Sequence, residues 1–141
     1  MKRILRHSLI MWIPFALLCL GAGFAVELVE GSKVTTTYHI GGVFPLMIWF
    51  TSVLVYPVTF LPLTLLINKT TNRLMIRILS YGLISGLSGW WYFNGAYEPF
   101  REQYDLNSSS AVFFFAAAGI LYALLDHYLF NHPKAFRGEG E

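Results

Sequence analysis

Charged residues are scarce in this chain of 141 residues, at 13% against about 25% in soluble globular domains. Cysteine is scarcer still, since Cys19 is the only one. A single cysteine excludes an intrachain disulfide, a paired-cysteine redox centre and a cysteine-rich metal site. The net charge of +2 is too small to indicate a nucleic-acid partner. The apolar runs carry no acid near a midpoint, and no histidine adjoins a nucleophile motif. We therefore expect no catalytic residue, no enzyme activity, no cofactor and no metal ion.

Apolar residues are abundant instead, at 55% of the chain and a mean hydropathy of +0.53. They concentrate in four runs, at about 8–26, 43–67, 78–94 and 111–130. Each run is close to the length of about 20 residues that crosses a bilayer as a helix. No separate soluble domain remains between them. The sequence therefore predicts an all-α membrane protein, a compact four-transmembrane-helix bundle in which 1–141 is one integral membrane domain.

The first run allows an alternative, because a basic leader precedes it and Gly23-Phe24-Ala25 follows its apolar core. This arrangement is also typical of a cleaved secretory signal peptide. The apolar core is long for a signal peptide, so we favour a retained first helix. A cleaved first run would leave three spans.

The second run contains Pro57 and Pro62, and proline removes a backbone donor and bends or breaks a helix. We predict a proline-bent second helix. Ser52, Tyr56 and Thr59 form a mildly polar stripe beside the bend, at spacings i, i+4 and i+7. Such hydroxyls commonly bond carbonyl groups that a proline leaves free. We favour this structural role over the alternative, a polar lining for a cavity.

Small residues line one face of the third run and one face of the fourth. In lipid, small residues let helices approach closely, because attraction there comes from packing rather than from expelled water. We predict that these faces make helix–helix contacts, within one chain or between copies. The third helix is expected to end at Asn94-Gly95, a favourable helix stop, before a short surface helix. The predicted helix-packing residues are Gly82, Ser85, Gly86 and Gly89 in the third run and Ala116, Gly119 and Ala123 in the fourth.

Asp126 is the only acid inside a predicted span, about one turn from the end of the fourth helix. A carboxylate there is partly removed from water and faces the negative end of the helix dipole. One hypothesis is that it reaches the headgroups and is solvated. We favour a structural ion pair, with Arg77, Arg73 or Arg6 as the partner of Asp126. The reason is that an inward-facing carboxylate needs a nearby positive charge to offset its removal from water.

Two weak groups of potential metal ligands remain. Glu27, Glu30 and His39 could meet at the outer surface and hold a divalent ion, although solvated loop charges are the favoured interpretation. His127 and His132 could bind a metal or sense pH, but a spacing of five residues places them poorly on one helix face.

The basic residues are distributed unevenly between the two sides of the predicted bundle. Lysine and arginine favour the cytoplasmic side of a membrane protein, and only Lys33 and Arg101 fall on the opposite side. We therefore predict that both termini are cytoplasmic and that the protein lies in the plasma membrane. The basic residues of the cytoplasmic side are Lys2, Arg3, Arg6, Lys69, Arg73, Arg77, Lys134 and Arg137.

Two functional hypotheses follow, and they belong to different classes. The first is an interaction protein of accessory, regulatory or immunity type, which binds a membrane-protein partner or its own copy through helix–helix contacts. The second is a small oligomeric transporter or channel, with the bent second helix lining the path. The expected partners are the lipid bilayer and a membrane protein or a second copy, and no nucleic acid is expected.

Overall fold

The computed structural model describes residues 2–34 and 43–132, and every regular element within these ranges is helical. A single 3-10 turn, Gly31–Lys33, follows the second helix. Residues 35–42 and the tail after His132 lie outside the described residues, and so does Met1. The α-helices are α1 (Lys2–Ile10), α2 (Trp12–Val29), α3 (Val43–Val55), α4 (Phe60–Thr70), α5 (Leu74–Arg101) and α6 (Ser108–Asn131).

Two to three segments are long and apolar enough to cross a membrane. The continuous helical stretch Lys2–Lys33 and helix Ser108–Asn131 qualify by length and composition, and the bent pair α3–α4 is a third candidate if it acts as one span. Helix α5 is 28 residues long, but its glycine, serine and aromatic residues lower its mean hydropathy, and it is not among these candidates. The all-helical fold and its apolar helices thus agree with membrane localisation.

The first predicted span, 8–26, lies within the continuous helical stretch Lys2–Lys33, which is interrupted only at Met11, between α1 and α2. The basic leader, expected to precede the helix, is itself helical from Lys2. Across the break, the backbone amide of Met11 donates to the His7 carbonyl over 3.0 Å. The chain thus keeps its helical hydrogen bonds through Met11.

The second predicted span, 43–67, is two helices, and they meet at an angle of 55°. The break covers 56–59 and contains Pro57. Proline lacks the amide that would bond the carbonyl four residues earlier, which is that of Val53. The indole Nε1 of Trp12 donates to this carbonyl over 3.1 Å, so α2 satisfies the group that the proline leaves free.

The prediction for the third helix, 78–94, is too short at both ends, because the observed helix α5 spans Leu74–Arg101. Helix α5 continues through Asn94 and Gly95, passes Pro99 and ends at Arg101, so no separate surface helix follows it. Burial explains the extension, since Phe93 and Tyr97 lie one turn apart in the core. The Tyr97 hydroxyl also donates to the Glu27 carboxylate, and this tertiary contact outweighs the local stop signal.

Helices α5 and α6 form the closest pair, and they run antiparallel. Cβ atoms built on Gly82 and Gly86 would lie 3.4 Å from Ile120 and Ala116, an ordinary contact distance. Gly89 and Gly119 leave no such room: a Cβ on Gly89 would lie 2.6 Å from the Phe115 ring, and one on Gly119 would overlap the Tyr81 carbonyl. The small-residue faces of the two helices are therefore in contact within one chain.

Helix α2 completes the bundle by packing against both α6 and α3. A Cβ on Gly23 would lie 3.1 Å from the Cα of Pro45, so α2 and α3 also approach closely at a small residue. Two groups of buried apolar residues result, one around Phe93 and Phe115 and one around Phe15 and Tyr122. The second group lies beside the polar cluster described below.

We predict that Gly119→Ala lowers the thermal unfolding temperature of the protein in detergent. The added methyl group overlaps the Tyr81 carbonyl and the Ser85 side chain, and overpacking commonly costs about 1–3 kcal/mol. Gly95→Ala is the matched control, because nothing lies within 4 Å of a Cβ there. The control should raise stability slightly, by about 0.5–1 kcal/mol. Equal effects at both positions would contradict the close contact between α5 and α6.

Candidate functional site

The Asp126 carboxyl group is completely buried at the centre of a polar cluster. The Arg77 guanidinium forms an ion pair with its Oδ2, and His7 Nε2 lies 2.6 Å from its Oδ1. The Tyr81 hydroxyl is 3.3 Å from Oδ2. Because charge-assisted hydrogen bonds are stronger than neutral ones, the contacts with Arg77 and His7 offset the removal of the carboxyl group from water.

Three helices bring these groups together. Arg77 lies in the first turn of α5 and Asp126 lies near the end of α6, and the antiparallel arrangement places these two ends side by side. His7 is on α1, the segment expected to be a basic leader. The Asp126 cluster, defined as Asp126, Arg77, His7 and Tyr81, therefore ties α1, α5 and α6 at one end of the molecule.

Phe130 covers this cluster on the side that faces the start of α5 and the end of α6. It follows Asp126 by one turn of α6 and so lies on the same face. The Arg77 guanidinium carbon is 5.3 Å from its ring centroid, and the His7 ring meets it edge-on at 5.4 Å. The Arg77 Nη2 also donates to Asn72 Oδ1 over 3.3 Å. The guanidinium is thus held by an acid, an aromatic face and an amide.

A chain of hydroxyl groups extends from the cluster towards the break between α3 and α4. Thr64 Oγ1 lies 3.1 Å from the Tyr81 hydroxyl and 3.0 Å from that of Tyr122. The Tyr122 and Tyr56 hydroxyls are 3.0 Å apart, and Tyr56 donates to the Ser8 carbonyl over 2.6 Å. Since each hydroxyl carries one hydrogen and Tyr56 donates to Ser8, donation runs in one direction from Tyr81 to Ser8, so Tyr81 gives its hydrogen to Thr64 and not to Asp126.

A groove of about 410 Å³ opens between the bent pair α3–α4 and α5. The contact of Tyr92 with Thr51, at 3.3 Å between their hydroxyls, closes it at one end. The stacking of Tyr81 on Phe60, with centroids 6.2 Å apart, closes the other. Its described lining is mostly apolar and contains no charged side chain. An uncharged, apolar group is therefore the ligand that this groove suits.

The predicted polar stripe is divided between the groove and the hydroxyl chain. Ser52 and Thr59 line the groove, but their hydroxyls donate to the carbonyls of Trp49, over 2.7 Å, and Val55, over 2.9 Å. Tyr56 does not line the groove, because it points into the buried hydroxyl chain. Two of the three hydroxyls thus bond carbonyls of α3, and the third ties the break to Ser8.

The described side chains that were considered as metal ligands form hydrogen bonds with other protein groups. Glu30 accepts hydrogen bonds from Lys33 Nζ, the Asn107 amide and Ser110 Oγ, at 2.7–3.0 Å, and so joins the end of α2 to the start of α6. His39 lies outside the described residues. Within 2–34 and 43–132, no group of three or more histidine, cysteine, aspartate or glutamate side chains could hold a metal ion. His127 and His132 each contact their own helix, at Asn131 and Tyr128.

Sequence reasoning named Asp126 and Arg77 but missed His7, Thr64, Tyr81 and Tyr122. One signal was available, because Arg77 and Tyr81 are four residues apart on α5, as are Tyr122 and Asp126 on α6. Each charged residue thus has a tyrosine one turn deeper on the same face. His7 and Thr64 carry no comparable signal, since they reach the cluster from other helices.

Comparison with protein-family models, with curated proteins and with solved structures finds no match to this chain.

We predict that Asp126→Ala and Arg77→Ala each lower the thermal unfolding temperature in detergent, and that the double variant loses less than the sum. Removing one partner of a buried pair leaves the other uncompensated, at a cost of about 3–5 kcal/mol. Arg73→Ala, at an exposed position on the same turn, is the control and should be mild. Strictly additive losses for Asp126 and Arg77, or an unchanged stability of Asp126→Ala, would argue against a structural ion pair.

Proposed function

We propose that the chain is a multi-pass plasma-membrane protein with four crossing segments and both termini in the cytoplasm. The stretch Lys2–Lys33, the bent pair α3–α4 and helix α6 supply three segments. Helix α5 is the fourth, because its outward face carries the exposed side chains of Leu79, Leu83 and Leu87 while its small-residue face is buried. An exposed aliphatic stripe opposite a packed face is what a lipid-facing helix requires.

The topology is tested by fusing reporters of membrane sidedness along the chain. We expect fusions at Met1, Asn72 and Glu141 to report the cytoplasm, and fusions at Lys33 and Glu102 to report the outside, because basic residues favour the inner side. A mature N-terminus at Val26 would show a cleaved first run and leave three spans.

The function that the geometry supports best is the binding of an uncharged, apolar molecule from the bilayer, in a transporter-like and non-catalytic role. The observation that carries this proposal is the groove between α3–α4 and α5. Its volume falls in the range of about 300–1,000 Å³ that is typical of ligand pockets. Its rim includes the exposed side chains of Leu87 and Trp91, so a ligand would enter sideways from lipid rather than from water.

The closed ends of the groove favour a small molecule over a partner helix. Tyr92 contacts Thr51 at one end and Tyr81 stacks on Phe60 at the other. A crossing helix of five or six turns therefore cannot lie along the groove. Aromatic rings of Phe15, Phe60 and Phe115 in the lining suit a flat or unsaturated ligand.

Interaction with a membrane partner or a second copy is the second candidate. The small-residue faces that suggested it are used between α5 and α6, and so they are not available to a partner. A different surface favours it, an open cleft of about 580 Å³ at the ends of α3 and α5, bordered by Met47, Trp90 and Arg101. Exposed aromatic and arginine side chains are enriched at protein interfaces.

We predict that a diazirine-bearing long-chain alcohol, photoactivated with the protein in vesicles, labels the groove residues preferentially. Ser88→Phe places a ring in the groove and should reduce this labelling several-fold. Leu79→Phe, exposed on α5 and outside the groove, is the matched control and should leave it unchanged. Labelling is measured by mass spectrometry of peptides. Even labelling of all lipid-facing helices, insensitive to Ser88→Phe, would contradict the proposal and leave the interaction candidate.

A further inference from the structure

The end of the molecule that holds the Asp126 cluster exposes charge of one sign. Lys2, Arg3 and Arg6 on α1, Lys69 on α4 and Arg73 before α5 are all exposed. We name these five residues the basic end. Among the described residues at this end, the only acid is Asp126, which is buried and paired with Arg77. The exposed positive charge is therefore not neutralised by neighbouring carboxylates in the described part of the chain.

Hydrogen bonds bring the three segments of this end together. Arg3 Nη2 donates to the Phe130 carbonyl over 3.1 Å, which joins α1 to the end of α6. Asn72 Nδ2 donates to Asn131 Oδ1 over 2.9 Å, which joins the turn between α4 and α5 to the same end. The five cations thus lie at one end of a single body rather than on separate ends of the chain.

Helix α1 carries apolar and basic side chains on the same exposed face. Lys2, Leu5, Arg6 and Leu9 follow the spacing i, i+3, i+4 and i+7, and all four are exposed, with Leu5 at 44% and Leu9 at 47%. The opposite face carries the buried His7 and Ser8. A stripe of leucines flanked by cations suits the boundary between headgroups and acyl chains, where leucine enters the apolar layer and lysine or arginine reaches the phosphates.

We infer that the basic end binds anionic phospholipid headgroups of the membrane that holds the protein. Each lysine or arginine close to an anionic membrane surface favours binding, and a headgroup with net negative charge gains this attraction whereas a zwitterionic one does not. The exposed leucines on α1 distinguish a lipid surface from a nucleic acid, because they require an apolar layer beside the phosphates. This inference is independent of the groove between α3–α4 and α5.

The test uses the full chain purified in a neutral detergent, with phosphatidylglycerol or phosphatidylcholine added, and native mass spectrometry to measure bound lipid. We expect phosphatidylglycerol to bind at least about tenfold more tightly than phosphatidylcholine. Added salt should weaken this preference through screening. Equal binding of the two lipids would overturn the inference. Inorganic phosphate should not displace phosphatidylglycerol; if it does, the site recognises phosphate alone and not a lipid.

Two matched double variants locate the site. Lys69→Gln with Arg73→Gln removes two charges of the basic end, whereas Lys33→Gln with Arg101→Gln removes two from the remainder of the chain. The first pair should weaken phosphatidylglycerol binding several-fold and the second should not. Lys2→Arg with Lys69→Arg keeps the charge and should keep the affinity, which separates charge from folding. Equal affinities of the two glutamine pairs would overturn the inference.

Discussion

A fully buried carboxyl group is the constraint on which much of this structure depends. Asp126 lies out of water on α6, so the fold must supply donors wherever its oxygens point. Arg77 meets this requirement from α5 and His7 from α1. Because α1 comes from the opposite end of the sequence, this requirement brings a basic leader into the bundle and fixes its position against α6. Phe130 then covers the cluster and shields the ion pair from water.

The close contact between α5 and α6 helps to determine where the groove forms. Glycines at 89 and 119 leave room only for the neighbouring helix, so the small-residue face of α5 packs on α6. The remaining face of α5 meets α3–α4 at its two ends, through Tyr92 and Tyr81. Since the bend at Pro57 turns α4 away from the direction of α3, the middle of this interface stays apart and forms the groove.

The two ends of the bundle are held by different chemistry. At one end Glu30 bonds Lys33, Asn107 and Ser110, which fixes the start of α6 against the end of α2. At the other end, the buried Asp126 cluster lies beneath exposed cations that no described acid neutralises. The first end also exposes acids, Glu98, Glu102 and Asp105, whereas all the exposed charges described at the second end are cations. This difference is the physical basis for proposing a lipid-headgroup contact at the basic end alone.

The sequence by itself determined the helical class, the apolar segments, the bend at Pro57 and the candidate partners of Asp126, because composition, proline chemistry and the cost of a buried charge are local properties. It did not determine that α5 continues past Asn94-Gly95, since burial of Phe93 and Tyr97 overrides a local stop signal. It could not choose among three arginines, or include His7, because these contacts join residues 49 and 119 positions apart. Only the tertiary structure, through the antiparallel alignment of α5 with α6 and the position of α1, decided which side chains share the site.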